Sequence, residues 1–144
     1  MSILENINQR IIEEYKAGNS ETRVYLQTLK SAIMAKAKDK REDLTELEEI
    51  QVLKSELKKE EEALSQAKTA GREDLREKTA TEIVILKSYL PPEISESEIE
   101  ATVKAVLKKI EDKSFGNVMK SAMDDLRGRA DGARVAAIVR RLIL

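Results

Sequence analysis

The sequence predicts an all-α protein, and three observations support that prediction. Apolar residues recur at intervals of three and four along almost all of the 144 residues, which is the period of an amphipathic helix. Charged residues make up 37% of the chain, with 26 Lys plus Arg against 27 Asp plus Glu. Helix-interrupting Gly and Pro total only 5 and 2. A chain of this length forms one ordinary domain or two small ones.

Capping residues delimit the first two predicted helices. Ser2 is placed to cap the first helix, and Gly18-Asn19 to end it. Ser20 opens the second helix, after which the charged stretch 36–43 is predicted to be a solvated connection. The residues predicted to face the core from these helices are Ile3, Leu4, Ile7, Ile11, Tyr15, Val24, Tyr25, Leu29, Ala32 and Ile33.

A capping box marks the start of the third helix, because Thr45 and Glu48 have the required spacing. Gly71 is placed to end it. A coiled-coil heptad through Ile50, Leu57 and Leu64 would put Glu60 in the seam, so packing within the chain's own bundle is the better interpretation. The third helix is predicted to bury Leu47, Ile50, Leu53, Leu57, Leu64 and Ala67, and a fourth helix to bury Leu75, Ile83, Leu86 and Leu90.

The pair Pro91-Pro92 is the predicted domain boundary, since proline ends a helix and restricts the residue before it. It separates an N-terminal helical domain, 1–90, from a C-terminal tail domain, 91–144. Three short helices are predicted in the tail. Their predicted N-caps are Ser95, Ser114 and Asp131, and Gly128 is predicted to end the middle helix.

Positive charge concentrates at the end of the chain. Residues 1–112 hold 19 basic and 24 acidic side chains, whereas residues 113–144 hold 7 basic and 3 acidic ones. Most of these cations are Arg, whose planar guanidinium matches pairs of phosphate oxygens. The candidate nucleic-acid-binding residues are Lys120, Arg127, Arg129, Arg134, Arg140 and Arg141. The alternative is that Arg140 and Arg141 complement the C-terminal helix dipole and that the others are ordinary solvated surface.

Composition also excludes much catalytic chemistry. The chain has no Cys and no His, so it has no disulfide, thiol nucleophile, imidazole base or Cys/His zinc site. Its glutamate pairs alternate with Lys on polar helix faces and are predicted to be solvated; examples are Glu13/Glu14, Glu48/Glu49 and Glu60/Glu61/Glu62. We therefore expect no catalytic, metal or cofactor site. No apolar run approaches the length of a bilayer span, and the start lacks the form of a signal peptide, so we expect a cytoplasmic location and no membrane association.

Five short stretches carry a family resemblance. They are Leu29-Lys30-Ser31-Ala32-Ile33, Ala70-Gly71-Arg72-Glu73-Asp74-Leu75, Tyr89-Leu90-Pro91, Gly116-Asn117-Val118-Met119-Lys120 and Gly128-Arg129-Ala130-Asp131-Gly132. In order and spacing they resemble the YqeY-like family, which is similar to the two C-terminal helical domains of GatB. GatB is a subunit of the glutamine-dependent amidotransferase that acts on mischarged tRNA. The resemblance implies a helical domain followed by a three-helix tail, which in GatB reaches the body of the tRNA.

The resemblance also bears on individual residues. The family's tail pattern is matched by Lys120 and Arg129 and by three glycines, Gly116, Gly128 and Gly132. Residues 60–63, Glu-Glu-Glu-Ala, replace two basic residues followed by Asp-Ser, so we expect no nucleic-acid contact from the third helix. The family is grouped with carbon–nitrogen ligases that use glutamine as amide donor, but the catalytic part of GatB is a separate domain for which this chain has no room.

Two functions remain open from the sequence. One is an accessory protein that binds tRNA or another structured RNA through its tail and docks a protein partner through its N-terminal bundle. The other is a protein-interaction module that uses the acidic bundle and does not bind RNA. Amidotransferase activity by this chain alone is not expected.

Overall fold

All 144 residues are described by the computed structural model, which has seven α-helices and no strand. The all-α prediction is confirmed. The helices are α1 (Ile3–Ala17), α2 (Ser20–Lys40), α3 (Glu46–Thr69), α4 (Glu73–Lys87), α5 (Glu96–Lys109), α6 (Phe115–Leu126) and α7 (Gly132–Ile143). They form two compact units, Met1–Leu90 and Pro91–Leu144. None of the helices has the length and apolar character that crossing a membrane requires.

Local capping signals place most helix ends. The Ser2 hydroxyl accepts a hydrogen bond from the Glu5 amide at 3.1 Å, and Gly18 ends α1 in the left-handed conformation with φ 78°. Thr45 and Glu48 form the predicted reciprocal capping box at the start of α3. These predictions are confirmed.

The predicted solvated connection at 36–43 is wrong in its first half. Helix α2 continues to Lys40 and ends at Arg41, which adopts the left-handed conformation with φ 65°. Lys and Ala are strong helix formers, so the loss of the apolar stripe does not stop the helix. The Lys40 ammonium also forms an ion pair with Glu48. The hydrogen bond that Lys40 donates to Glu48 in this ion pair, together with one from the Thr45 amide, lowers the pKa of Glu48 to about 2.

The core of the N-terminal unit draws on all four of its helices. Its buried members are Ile7, Tyr25, Leu26, Leu29, Ile33, Leu53, Ile85 and Leu86. Three residues predicted to be buried are exposed instead: Tyr15 at 68%, Val24 at 56% and Leu75 at 40%. The buried stripe of α2 runs through Leu26, which was not predicted. Val24 lies two residues before Leu26, and a rotation of about 100° per residue places its side chain on the opposite side of the helix.

The other two exposed residues lie near helix ends. The guanidinium of Arg23 lies over the ring of Tyr15, 5.3 Å from the ring centroid, and covers part of that ring. Leu75 lies in the first turn of α4, next to the loop that joins α3 to α4. No residue of this end of the hairpin belongs to the core cluster. The apolar pattern therefore predicted the helices better than it predicted which of their ends reach the core.

One buried carboxylate joins the start of α1 to α3. Glu49 is only 3% exposed, and its carboxylate accepts the backbone N–H groups of Ile3 at 3.3 Å and Leu4 at 2.9 Å. Free N–H groups at a helix N-terminus favour negative charge. The sequence-based interpretation of Glu48-Glu49 as a solvated pair is thus wrong for Glu49, which caps a helix some 45 residues away in the chain.

Replacing this carboxylate tests its role. Glu49→Ala leaves two partly buried N–H groups without their acceptor, and we expect a loss of about 1–3 kcal/mol in the free energy of unfolding. Urea unfolding followed by tyrosine fluorescence measures it, because Tyr15, Tyr25 and Tyr89 all lie in the N-terminal unit. The matched control is Glu62→Ala at an exposed position of the same helix. Equal stability of the two variants would contradict the capping role.

Candidate nucleic-acid interface

The tail unit is a three-helix core with one ordered loop. Helices α5, α6 and α7 enclose an apolar cluster of Ile99, Val103, Val106, Val118, Ala122, Leu126, Ala130, Val135, Ile138 and Val139. Ala130 belongs to the α6–α7 loop and is fully buried. The loop that carries the candidate arginines is therefore packed on the core.

Ile94, just before α5, anchors that loop through both of its backbone groups. Its N–H donates to the carbonyl oxygen of Arg129 at 3.0 Å, and its own carbonyl accepts from the Arg134 guanidinium at 3.3 Å. Ile94 thus holds the backbone of Arg129 and the side chain of Arg134. We call the surface formed by Arg127, Arg129 and Arg134 the arginine corner.

Two consecutive left-handed residues shape the loop. Arg127 has φ 48° and Gly128 has φ 75°, which is unusual for the non-glycine residue. The turn directs the Arg129 amide and its Nε to the carbonyl of Leu126, at 3.0 and 3.1 Å. The exposed Arg127 side chain has no hydrogen bond or ion pair. Its guanidinium is therefore available to a ligand.

The remaining cations do not all join the arginine corner. The Arg140 guanidinium lies over the ring of Phe115, 5.1 Å from its centroid, whereas Arg141 forms an ion pair with Glu100 of α5 at 3.1 Å. Neighbouring arginines of α7 therefore contact different helices. Lys120 is exposed on α6 without a polar partner. Ile94 links the backbone of Arg129 to the side chain of Arg134, whereas Arg140 and Arg141 contact different helices.

Acidic residues of the same unit offset much of the positive charge. Glu93 lies 3.7 Å from the Arg134 guanidinium. Hydrogen bonding and charge from Lys104, with the charge of Arg141, hold the pKa of Glu100 below its ordinary value. Counted over 91–144, the unit has ten basic and nine acidic side chains. The excess of basic side chains in residues 113–144 is thus a local feature and not a property of the whole unit.

Two of the predicted caps lack their side-chain hydrogen bond. Asp131 is the N-cap residue of α7 and Ser114 that of α6, yet neither side chain accepts from the helix it precedes. Before α6, the Asp112 carboxylate accepts from the Ser114 amide at 3.0 Å and from the Asn117 side chain at 2.6 Å. The Asp131 side chain leaves the first turn of α7 uncapped, and free N–H groups at a helix N-terminus favour an anion.

The other motif residues act through the backbone. Gly116 lies within α6, Gly132 begins α7 and Gly128 supplies the left-handed turn. Ile94, Glu93 and Glu100 were missed as site residues by sequence reasoning. The signal for Ile94 was its position before the N-cap Ser95, from which an apolar residue packs back on the helix. No group of three or more Asp or Glu side chains is arranged to hold a metal ion.

Comparison with known proteins gives the family. The model of the YqeY-like proteins matches residues 4–143. The chain belongs to the YqeY-like family. The family assignment made from the five sequence stretches is confirmed.

Two relatives are similar over part of the chain. One is the protein named "Altered inheritance of mitochondria protein 41, mitochondrial" from Pyrenophora tritici-repentis, 32% identical over 83 residues, which are 55% of this chain and 46% of that protein. The other is an uncharacterized protein of Schizosaccharomyces pombe, 29% identical over 89 residues, which are 62% of this chain and 72% of that protein. The match thus spans about half the length of the first relative. Neither name states a ligand.

The left-handed turn can be tested with a pair of glycine substitutions. Gly128→Ala places a side chain at φ 75°, and we expect it to destabilise the tail by about 1–2 kcal/mol. Gly116→Ala is the control, because a Cβ there meets no atom within 4 Å and alanine should stabilise α6 by about 0.5–1 kcal/mol. Amide hydrogen exchange of α6 and α7 should quicken in the first variant and slow in the second. Equal exchange in both variants would show that the turn tolerates a side chain.

Proposed function

We propose that this protein is an accessory RNA-binding protein whose tail unit binds the phosphate backbone of tRNA or another structured RNA. The observation that carries the proposal is the arginine corner, in which the Arg129 guanidinium donates to the carbonyl of Leu126 and the Arg134 guanidinium donates to the carbonyl of Ile94. Anchored guanidinium groups lose little conformational freedom when they bind. Exposed Arg127 adds a third cation at the same loop.

The chemistry of the corner suits phosphate. Guanidinium groups form paired hydrogen bonds with phosphate oxygens, and the open first turn of α7 adds backbone N–H groups where an anion is favoured. Lys120 supplies a further exposed cation on α6. Phosphates follow one another along an RNA backbone, so such a ligand offers several anions to this surface.

Base stacking contributes little in this proposal. The chain has only four aromatic residues, Tyr15, Tyr25, Tyr89 and Phe115, and only Phe115 belongs to the tail. Arg140 already covers its ring. Recognition would therefore follow the shape and the phosphates of a folded RNA and not its base sequence.

The magnitude of binding should be modest. About four phosphate contacts give a slope of log affinity against log salt of about −3. Glu93 and Glu100 lie beside Arg134 and Arg141 and compete with phosphate for them. A chain of this kind gains useful affinity when a protein partner or a shaped RNA surface supplies further contacts.

The family supports the same function. The chain belongs to the YqeY-like family, whose resemblance to the C-terminal domains of GatB implies a tail that reaches tRNA. We assign RNA binding and no amide transfer to this chain, because the part of GatB that carries the chemistry has no counterpart among these residues.

A second candidate function uses the N-terminal unit as a docking surface for a protein partner. Several large apolar side chains of α1, α2 and α4 are more than half exposed: Ile12, Tyr15, Val24, Met34 and Val84. Exposed apolar side chains are favourable where a partner covers them. This candidate is compatible with RNA binding by the tail, and it also stands without it.

The binding test compares two triple variants of the full chain. Arg127→Gln, Arg129→Gln and Arg134→Gln together remove the arginine corner, while Lys38→Gln, Lys58→Gln and Lys87→Gln remove the same charge from exposed positions of the N-terminal unit. Fluorescence anisotropy with labelled tRNA over about 50–300 mM salt should show a loss of about tenfold or more for the first variant, with a shallower salt slope. The lysine variant should change affinity less than about threefold.

Two outcomes would count against RNA binding. One is wild-type binding that is insensitive to salt, and the other is an equal loss in both triple variants, which would indicate attraction by total charge alone. Circular dichroism of each variant checks that the helices persist. A protein partner that is retained after ribonuclease treatment, with no tRNA binding, would favour the second candidate.

A further inference from the structure

Two buried polar atoms of the N-terminal unit have no hydrogen-bond partner. They are the phenol oxygen of Tyr25, on α2, and Oε2 of Glu60, on α3. Tyr25 is only 6% exposed. A buried polar atom without a partner is costly, and Oε2 of Glu60, which can only accept while the carboxylate is ionised, lacks a donor.

The groups around these atoms are mainly acidic. Glu82 of α4 lies within hydrogen-bonding reach of Glu60, and Glu56 lies one turn before it on α3. Lys78 of α4 is the cation that opposes them. Tyr25 faces the same three carboxylates from α2. Glu56 already has an ion pair, with Lys59 at 3.2 Å.

Two ionised carboxylates cannot hydrogen-bond to each other, because each is only an acceptor. One proton changes this, since a neutral carboxyl group donates an O–H to the other carboxylate. Such pairs share a proton when they are close and partly buried, as like charges at short distance cannot both ionise. A hydrogen bond between Glu60 and Glu82 therefore requires a proton on one of them.

We propose that Glu60 and Glu82 share one proton that joins α3 to α4, and that its loss loosens the packing of α2, α3 and α4. The N-terminal unit is then a pH-sensitive element. This inference rests on the N-terminal unit alone and does not depend on RNA binding by the tail.

The direction of the pH dependence follows from the protonation of Glu60. Burial, together with the hydrogen bond to Glu82 and the charges of Glu82 and Glu56, raises the pKa of Glu60 to about 7. An acid whose pKa is higher in the folded than in the unfolded state binds more protons when folded, so stability falls as pH rises from about 4.5 to 7. Burial and the same carboxylates raise the pKa of Tyr25, and its phenol stays neutral throughout this range.

The experiment is thermal unfolding of the full chain between pH 5 and pH 8.5, followed by tyrosine fluorescence, which reports the N-terminal unit. The chain has no histidine, so no imidazole titrates in this interval. We expect the wild-type Tm to fall by about 5 °C or more over the interval. Glu60→Gln, which keeps a donor at every pH, should flatten the profile, and the control Glu61→Gln at the exposed neighbouring position should keep it.

A second measurement does not depend on the stability of a variant. Carbon-13 NMR of the glutamate carboxyl groups of the wild-type chain should show one group that titrates with a midpoint near 7, and Glu82→Gln should lower that midpoint. The proposal is overturned if no glutamate carboxyl group titrates clearly above the ordinary value of about 4.3. It is also overturned if Glu60→Gln and the wild type have the same pH profile.

Discussion

A backbone N–H or C=O group that leaves water must find a partner, and in this protein decisive partners come from far along the chain. Glu49 accepts the first amides of α1 across about 45 residues. Ile94 joins Arg129 and Arg134, and its bond to Arg134 spans 40 residues. Short helices are marginally stable by themselves, so these bonds between helix ends help to fix each unit. The proposed RNA surface depends on the second of them.

The tail illustrates how local geometry decides the meaning of charge. Its last 32 residues have an excess of basic side chains, but the folded unit is nearly neutral because α5 and its flanking segments bring acids beside α7. Arg140 and Arg141 are adjacent in sequence and contact different helices. What remains is a small surface at one loop. Two of its three cations, Arg129 and Arg134, are held in place by hydrogen bonds to backbone carbonyls.

Local signals in the sequence were sufficient for the helices. Capping residues such as Ser2 and Thr45 interact with amides three positions away, so spacing alone reveals them. The same reasoning failed at Val24 and Leu75, because burial depends on which neighbour a helix meets. It also failed at Glu49 and Glu60, where a carboxylate in a charged run is buried by a distant element. The arginines were identified as candidates from the sequence. Which of them form the arginine corner, and that Arg140 contacts Phe115 while Arg141 contacts Glu100, depends on the packing of three helices.

The arginine corner is the surface at which we propose that RNA phosphate binds. The most direct measurement is the ¹⁵N–¹H spectrum of the full chain titrated with tRNA at about 50 mM and again at about 300 mM salt. We expect the amide signals of residues 127–134 and of Ile94 to shift or broaden at the lower salt and to recover at the higher. Changes confined to residues 1–90, or changes in the tail that salt does not reverse, would contradict it.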